Sequence, residues 1–453
     1  MTCLSYHSAE RFILSREFFG MKLGLENIME FLQKIGNPQD KYKTVHIAGT
    51  NGKGSTAAML DAIFRAQGYK TGLYTSPHLV DFRERIQVNG EKIARQAVAS
   101  FITKYKRVLQ KRKLTFFEVV TALAFDYFAR WRVDVAVIET GLGGRLDATN
   151  VLSPNLTMTT DIDFDHTDVL GDTIGLISRE KAGIIKSGKP HLMGLLPKQA
   201  IEILSNKCDE MNSPLHQVAD FNYKMNVENM SLDFKDEGLQ LSDIAPALYG
   251  PHQLKNAALV LKAASIFRQN GLFVSKRAVI KGITKTNWPG RFQVLSQTGR
   301  STIVLDVAHN PGGIRAFVES FKLCYPQKRA LLLSGFVKRK NHQAIFDLLS
   351  EIASEYALAP LKTRRSADLA ELTKTIDFRE IPARRFGSFS AAFNYLTKKA
   401  GSDDIICVVG SHYLVGEFLE KFGEKWPKRA DKNQNRRKHL NRTRRPLKPL
   451  KSY

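Results

Sequence analysis

Apolar positions along this chain fall into short continuous runs separated by longer stretches with helical spacing, the pattern of an α/β protein. The clearest run is Thr44–Ala48 (TVHIA), which reads as a buried strand. Gly49, Gly52 and Gly54 follow as a tight turn. From Ser55 the spacing becomes helical, with Ala58, Leu60, Ile63 and Phe64 apolar and Gly68 as the stop. Further strands are predicted at Gly72–Thr75, Val133–Ile138, Leu156–Thr160, Ser301–Leu305, Arg329–Ser334, Glu355–Ala359 and Ile405–Val409. Near the N-terminus Leu25, Ile28, Met29 and Leu32 share one predicted helix face, ended by Gly36-Asn37-Pro38. Arg95–Arg130 is predicted helical with a break near Lys113–Thr115, where Thr115 is placed to cap the second segment. Val88–Lys92 reads as a turn, residues 173–189 as a helix and turn, residues 191–250 as strand and loop, and a helix runs from His252 to about Gln269. Asn287-Trp288-Pro289-Gly290-Arg291 breaks the regular pattern and divides the chain. The expected organisation is a nucleotide-type domain over residues 1–287, a hinge at 288–293, a second α/β domain at 294–424 and a basic tail at 425–453.

A strand, a glycine-rich turn and a helix start form a phosphate cradle, because backbone N–H groups converge where the helix carries partial positive charge. Lys53 is placed to reach terminal phosphates, and Ser55 or Thr56 to serve Mg²⁺. The loop departs from G-x-x-x-x-G-K-[ST]: only Thr50 and Asn51 separate Gly49 from Gly52, and Gly54 follows the lysine. A glycine turn that binds nothing is the alternative. Glu139 ends the run at Val133–Ile138, where ligands of open α/β sheets bind, and is therefore placed to hold a metal. His166 follows the next strand among Asp161, Asp163 and Asp165, which suits either a metal ligand or a structural histidine. Ser76 and His78 flank Pro77 and fit a fixed loop near a nucleotide, or an ordinary capped turn. Lys181, beside Arg179, Glu180 and Lys186, reads from its neighbours alone as a solvated surface lysine.

Length and composition narrow the classes. The 453 residues exceed one ordinary core, so two domains are expected. No apolar run approaches the ~18 residues of a membrane helix, and Glu10, Arg11 and Glu17 interrupt the N-terminal stretch, unlike a secretory signal. Cys3, Cys208, Cys324 and Cys407 lie far apart without metal-ligand spacing, consistent with a reduced cytoplasmic setting. Net charge is +24, but residues 425–453 hold twelve Lys/Arg against Asp431, so +11 belongs to the tail. The remaining excess suits an anionic substrate.

Nine ordered motifs carry a resemblance: GLENI at 24–28, HIAGTNGKGS at 46–55, TSPHLVDFRERI at 75–86, ETGLGGRLDATN at 139–150, DFDHTDVLGDT at 163–173, REKAGIIK at 179–186, PHQLKNAA at 251–258, WPGRF at 288–292 and DVAHNPGG at 306–313. In these the chain resembles the folylpolyglutamate synthase/dihydrofolate synthase family, within the Mur ligase group of ATP-dependent amide-forming enzymes. The resemblance spans roughly residues 20–420. It implies a P-loop-type ATP-binding domain with a mainly parallel sheet, plus a smaller Rossmann-like α/β C-terminal domain. It implies that Asn51, Gly52, Lys53, Gly54 and Ser55 bind the ATP phosphates, with Asn256, Arg291 and Asp306 as further ATP contacts. It implies Mg²⁺, with two sites, held by Ser76, Glu139, His166 and Lys181, the last matching a lysine that is carbamylated in the family, and a monovalent cation can accompany them. Lys53, Lys181 and His309 are the implied catalytic residues. Leu23, Gly24, Leu25, Thr115, Phe116, Phe117, Glu118, Leu146, Asp147 and Ala148 match segments that contact the pterin substrate in bifunctional members. The implied partners are dihydropteroate or folate and L-glutamate, acting on a monomer.

Two motifs depart from the family. Its Asp-Lys-Asp segment is Arg339-Lys340-Asn341 here, and its C-terminal SLYLV reads Ser411-His412-Tyr413-Leu414-Val415. Both lie in the second domain, where the resemblance places glutamate, so they bear on acceptor preference more than on ATP chemistry. TSPHL, GGRLDATN and WPGR count against a cell-wall Mur ligase. A nucleic-acid-binding role for the tail is the other reading, but Trp426 and Tyr453 are its only aromatics, and a solubilising extension is the simpler expectation.

Overall fold

The computed structural model describes residues 3–16, 24–236, 238–269, 271–296, 300–377 and 380–424. The basic tail and Leu23 lie outside the described residues. Three sheets organise the chain. The first contains β1 (Lys43–Ala48), β2 (Thr71–Tyr74), β3 (Ile86–Val88), β4 (Glu91–Lys92), β5 (Val135–Glu139), β6 (Leu156–Thr159), β7 (His191–Met193) and β8 (Leu215–Gln217). Its order is β4-β3-β2-β5-β1-β6-β7-β8. Strands β2, β5, β1, β6, β7 and β8 run parallel, and the β3/β4 hairpin adds an antiparallel edge. A small antiparallel sheet follows, made of β9 (Asn222–Asn226), β10 (Ser231–Asp236) and β11 (Leu239–Ile244). The third sheet contains β12 (Gln293–Leu295), β13 (Thr302–Asp306), β14 (Ala330–Ser334), β15 (Ala353–Leu358), β16 (Ala383–Arg385) and β17 (Ile405–Val409). Its order is β12-β13-β17-β14-β15-β16, parallel except for β12.

The central strands follow from their residues. Val135, Ala136, Val137 and Ile138 are all fully buried because helices cover both faces of the sheet. The helix Lys53–Gln67 buries Ala57, Met59, Leu60, Ile63 and Phe64, and Gly68 ends it in the left-handed conformation. The helix Phe116–Arg130 opens with a capping box: the Thr115 hydroxyl accepts from the Glu118 N–H at 3.3 Å, and Glu118 Oε2 accepts from the Thr115 N–H at 2.8 Å.

The structure corrects several local expectations. Met29 does not share the buried face of its helix; it is half exposed, and Phe31 takes its place beside Ile28 and Leu32. The turn at Val88–Lys92 is the tip of the β3/β4 hairpin. Residues 191–250 are not all strand and loop: Lys198–Glu210 is a helix whose apolar stripe (Ala200, Leu204, Cys208) is sparse enough to be obscured by its polar majority. The helix Lys276–Lys285 and the edge strands β12 and β16 were also not apparent from the pattern.

Within the expected hinge at 288–293, Phe292 is closely packed. Phe292 has a positive φ of 42° and is buried. Its ring lies 5.1 Å from that of Tyr249 and 5.9 Å from that of Phe317, so one apolar cluster runs from the helix Pro251–Gln269 into the third sheet's first helix. Phe292→Ala is expected to destabilise the protein by about 3–5 kcal/mol, read as a lower denaturant midpoint; an unchanged midpoint would show that the ring does not stitch the two sheets.

Candidate active site

Both large sheets point their carboxyl ends into one cleft. The loop after β1 (Gly49–Ser55), Ser76 after β2, Glu139 at the end of β5, Thr160 and Asp161 after β6, Gly194 after β7 and Asp306 at the end of β13 all line it. The cleft holds about 400 Å³. Strand β1 lies between β5 and β6, so the glycine loop sits where sheet order changes direction, the usual ligand position of such sheets.

The glycines permit close approach. A Cβ on Gly52 would come within 2.6 Å of Asn256 Oδ1, and one on Gly54 within 3.1 Å of Trp288 Nε1. Lys53 Nζ folds back onto its own loop, donating to Gly49 O at 2.9 Å and Thr50 O at 3.0 Å. Asn51 Nδ2 donates to Asp161 Oδ2 at 3.1 Å. Ser55 lines the cleft and accepts from Gln253 Nε2 at 3.2 Å, whereas Thr56 is buried with an unpartnered hydroxyl. Gln253 Oε1 in turn accepts from Asn256 Nδ2 at 3.0 Å.

Glu139 is buried and receives one hydrogen bond, from the Ser76 N–H at 3.1 Å. Burial pushes its carboxyl up, against the pull of Lys53. A buried carboxylate with one donor, aimed into a cleft beside a phosphate loop, fits a cation. Together with Ser76, His166 and Lys181 it offers a mainly oxygen set of the kind Mg²⁺ prefers once Lys181 carries a carboxylate. Among the described residues no three His, Cys, Asp or Glu side chains gather into one ligand shell. His166 lines the cleft with φ at 51°, its imidazole pushed down to about 4 by burial. His78, in contrast, faces away and accepts from Arg85 Nε at 2.9 Å.

Lys181 is buried in the cleft wall, not solvated as its sequence neighbours suggested. Its surroundings include Lys53 and the carboxylates of Asp161, Asp165 and Asp147. Burial, then Lys53, pushes its ammonium down to about 7. A neutral amine at that position is the form that adds CO₂.

On the facing side Asp306 accepts from the N–H groups of Phe292 and Ala308, each at 2.8 Å. Arg291 lines the cleft with Asp306 and Glu139 and donates to Gly290 O at 3.3 Å; burial pushes its guanidinium down, against the attraction of the two carboxylates. His309 Nδ1 is 2.9 Å from Val307 O, and its Nε2 is 3.6 Å from Asp165 Oδ2. Asp165 also accepts from Asn310 Nδ2 at 2.9 Å and from the Lys340 ammonium. Burial would raise this carboxyl, but His309, His166 and Lys340 overcome it and hold Asp165 well below the ordinary range. Asn310 Nδ2 further reaches Asn51 Oδ1 at 3.1 Å, tying the phosphate loop to the second domain.

The structure therefore brings together Asn51, Gly52, Lys53, Gly54, Ser55, Ser76, Glu139, His166, Lys181, Asn256, Arg291, Asp306 and His309. Gly24, Leu25, Thr115, Phe116, Phe117, Glu118, Leu146, Asp147 and Ala148 are not part of this lining. Several adjoin it from behind: the Phe117 ring fills the space a Gly141 Cβ would need, and Asp147 Oδ2 accepts from Leu142 N at 2.8 Å. Glu118 commits one oxygen to the helix cap and leaves Oε1 buried without a partner. Asp165, Asn310 and Lys340 were not among the expected site residues. Asp165 had one available signal, its place beside His166; Lys340 and Asn310 meet it only through tertiary structure.

A glycine-loop nucleotide site facing a second α/β domain defines a Mur-type ligase. The Mur ligase middle domain matches residues 47–264, and the Mur ligase glutamate ligase domain matches residues 290–412. The chain is 33% identical over 431 residues to the dihydrofolate synthase/folylpolyglutamate synthase of Bacillus subtilis, covering 92% of this chain and 99% of that protein. It therefore belongs to the dihydrofolate synthase/folylpolyglutamate synthase family. Among solved structures, that of the Escherichia coli enzyme in complex with DHPP and ADP superposes with a TM-score of 0.83 at 30% identity, covering 92% of this chain and 98% of that one. A bifunctional folylpolyglutamate synthase/dihydrofolate synthase with Mn, AMPPNP and L-glutamate bound gives a TM-score of 0.82 at 28% identity, covering 93% and 100%.

The low Lys181 pKa has a measurable sign. Between about 7 and the ordinary 10.5, the unfolded chain holds a proton on this lysine that the folded chain does not, so its contribution makes stability rise with pH across that window. In CO₂-free buffer the wild type is expected to gain up to about 1.4 kcal/mol per pH unit relative to Lys181→Met. Urea unfolding of both proteins at about pH 7, 8 and 9 checks this; parallel pH dependences would place the lysine in contact with solvent.

Proposed function

We infer that the protein is an ATP-dependent ligase that joins L-glutamate to the carboxylate of dihydropteroate, of (poly)glutamyl tetrahydrofolate, or of both, releasing ADP and phosphate. The observation that carries this reading is the single cleft onto which both sheets direct their carboxyl ends, with the phosphate loop on one wall and the Asp306–Asn310 loop on the other. Relatives in the same family hold DHPP with ADP, and Mn with AMPPNP and L-glutamate.

A carboxylate is a poor electrophile. The acceptor's carboxylate oxygen attacks the γ-phosphate, ADP leaves, and the resulting acyl phosphate is attacked by the glutamate amine with loss of phosphate. Asn51, Gly52, Gly54 and Ser55 hold the phosphates through the loop. Lys53, now satisfied by two neutral carbonyls, exchanges them for phosphate oxygens and offsets charge during transfer. Asn256, Arg291 and Asp306 complete the nucleotide contacts. Ser76, Glu139, His166 and a carbamylated Lys181 would hold Mg²⁺ at up to two sites, which supplies Lewis-acid neutralisation of the transferring phosphoryl group. A monovalent cation can add to this. His309, held by Val307 O, faces the same space and is placed to contact the incoming glutamate. The acyl phosphate survives because Asn310, Asp165 and Lys340 keep the two walls together and exclude water.

Gly24, Leu25, Thr115–Glu118 and Leu146–Ala148 form the pterin side of this reading, which rests on the motifs they share with the family; Phe117 and Asp147 back the cleft wall at Gly141 and Leu142. The domain division at 288–293 is retained as a joint between ligase halves. The enzyme works as a monomer in the cytoplasm, in keeping with its four free cysteines, and the tail is a solubilising extension. No helix among the described residues is long and apolar enough to cross a membrane.

Glutamate-dependent ADP release, measured separately with dihydropteroate and with a reduced monoglutamyl folate, tests the function. Activity with both acceptors is expected. Activity with one alone identifies a dedicated dihydrofolate synthase or a dedicated chain-extending synthase, and a folded, ATP-binding protein inactive with both would refute the assignment. Arg291→Ala is expected to weaken ATP binding and lower turnover at least about tenfold, since it removes a half-buried cation from the cleft lining; unchanged nucleotide affinity and kcat would remove Arg291 from the site.

A further inference from the structure

Five cations stand exposed on two neighbouring loops at the rim of the cleft. Lys338 and Arg339 follow β14, while Lys362, Arg364 and Arg365 follow β15. The loops are joined: the Lys338 N–H donates to Arg365 O at 2.8 Å, and Val337 bridges Ser366. Their charges are unevenly compensated. Lys362 lies 3.6 Å from Glu417 and 3.4 Å from Glu420, and Arg339 lies 3.4 Å from Asp168. Among the described residues Lys338, Arg364 and Arg365 have no ion pair. The strip is also continuous with the reaction cleft. Lys340, next to Arg339, meets Asp165 inside the cleft, and Asp168 belongs to the short helix Thr167–Leu170, whose Leu170 lines it.

We propose that Lys338, Arg364 and Arg365 form a subsite for the α-carboxylates of an acceptor's γ-glutamyl tail, favouring acceptors that already carry several glutamates. The inference rests on the ligase reading above. An oligo-γ-glutamate carries one α-carboxylate per residue on a flexible chain, and its reacting end must sit at the phosphate loop. The rest of the chain must leave the cleft, and this rim offers it cations with no internal partner. Arginine guanidinium groups match carboxylates with paired N–H donors, and two of the three free cations are arginines. Arg339-Lys340-Asn341 also leaves the approach to this strip without an acidic residue. Dihydropteroate has no glutamyl carboxylate and gains nothing from it.

The test is steady-state ADP release by the full-length wild type and by a Lys338→Ala/Arg364→Ala/Arg365→Ala protein, with dihydropteroate, a monoglutamyl and a triglutamyl reduced folate. For the triple variant KM for the triglutamyl acceptor is expected to rise about five- to tenfold, consistent with exposed pairs that are individually weak. Its kcat, and both constants for dihydropteroate, are expected to stay as in the wild type. Added salt should raise the wild-type triglutamyl KM toward that of the variant. Arg364→Lys/Arg365→Lys should retain most of the wild-type behaviour, which separates charge from folding. An unchanged triglutamyl KM, or an equal rise for dihydropteroate, would overturn the proposal. So would loss of affinity for a short single-stranded RNA in the triple variant with folate kinetics intact, which would assign the strip to nucleic acid. A wild type that turns over no acceptor would instead fail the ligase reading itself.

Discussion

One buried carboxylate holds the two halves of the cleft in register. Asp165 leaves the end of the first sheet and accepts from Asn310 and Lys340, both on loops of the third sheet, with His309 close by. Removing a carboxylate and an ammonium from water costs several kcal/mol per ion, which mutual attraction offsets only when further hydrogen bonds complete the arrangement. Here Asn310 supplies one, and His309 stands 3.6 Å away. The same Asn310 side chain reaches Asn51 in the phosphate loop. The loop that cradles the nucleotide and the loop facing it are thus positioned by one shared residue. Gly312 makes the approach possible, since a Cβ there would overlap Asp163.

Around this clasp the cleft collects charges that are poorly solvated and only partly matched. Glu139 and Asp306 are pushed up by burial, while Lys181 is pushed down. Arg291 lines the same cleft and, among the described residues, forms no ion pair with either carboxylate. Such an arrangement stores incomplete compensation. In the proposed function a nucleotide triphosphate with divalent cations would complete it, with Lys53 and Arg291 as the donors that would meet phosphate oxygens and Glu139 as the carboxylate that would hold a cation. Desolvation that costs stability in the empty cleft becomes electrostatic preorganisation when the substrates enter.

Much of this was legible in the sequence where function is local. The strand Thr44–Ala48, its glycine turn and the following helix lie in one contiguous stretch; Glu139 stands at a strand end that the apolar runs reveal, and His166 follows the next strand before a short helix. The parallel sheet follows from fully apolar strands such as Val135–Ile138. What escaped was tertiary. The helix Lys198–Glu210 buries only a narrow stripe, so its periodicity was weak. Lys181 looked solvated because its charged neighbours point elsewhere along the helix, with Glu180 paired to Arg145 at 2.7 Å. Asp165 and Lys340 are 175 residues apart, and no periodicity or spacing connects them. The packing of Phe292 between Tyr249 and Phe317 was likewise invisible in the sequence, where Pro289 and Gly290 marked only a break.

The Arg339-Lys340-Asn341 segment shows how charge and geometry are divided at the mouth of this cleft. Asn341 caps the helix His342–Ser350, its Oδ1 accepting from the Ala344 N–H at 3.0 Å. Asparagine and aspartate serve almost equally at that position, and the asparagine caps the helix without adding a negative charge. Arg339 adopts a positive φ of 60° and turns its guanidinium outward to Asp168, leaving Lys340 free to face inward to Asp165. The segment keeps its inward cation and its helix cap, the two features that closure requires. The segment also sets the field at the mouth of the cleft, where it carries two cations and no anion. For a ligase whose acceptors, products and second substrate are all carboxylates, that field acts on every encounter before any atom of the reacting centre is touched.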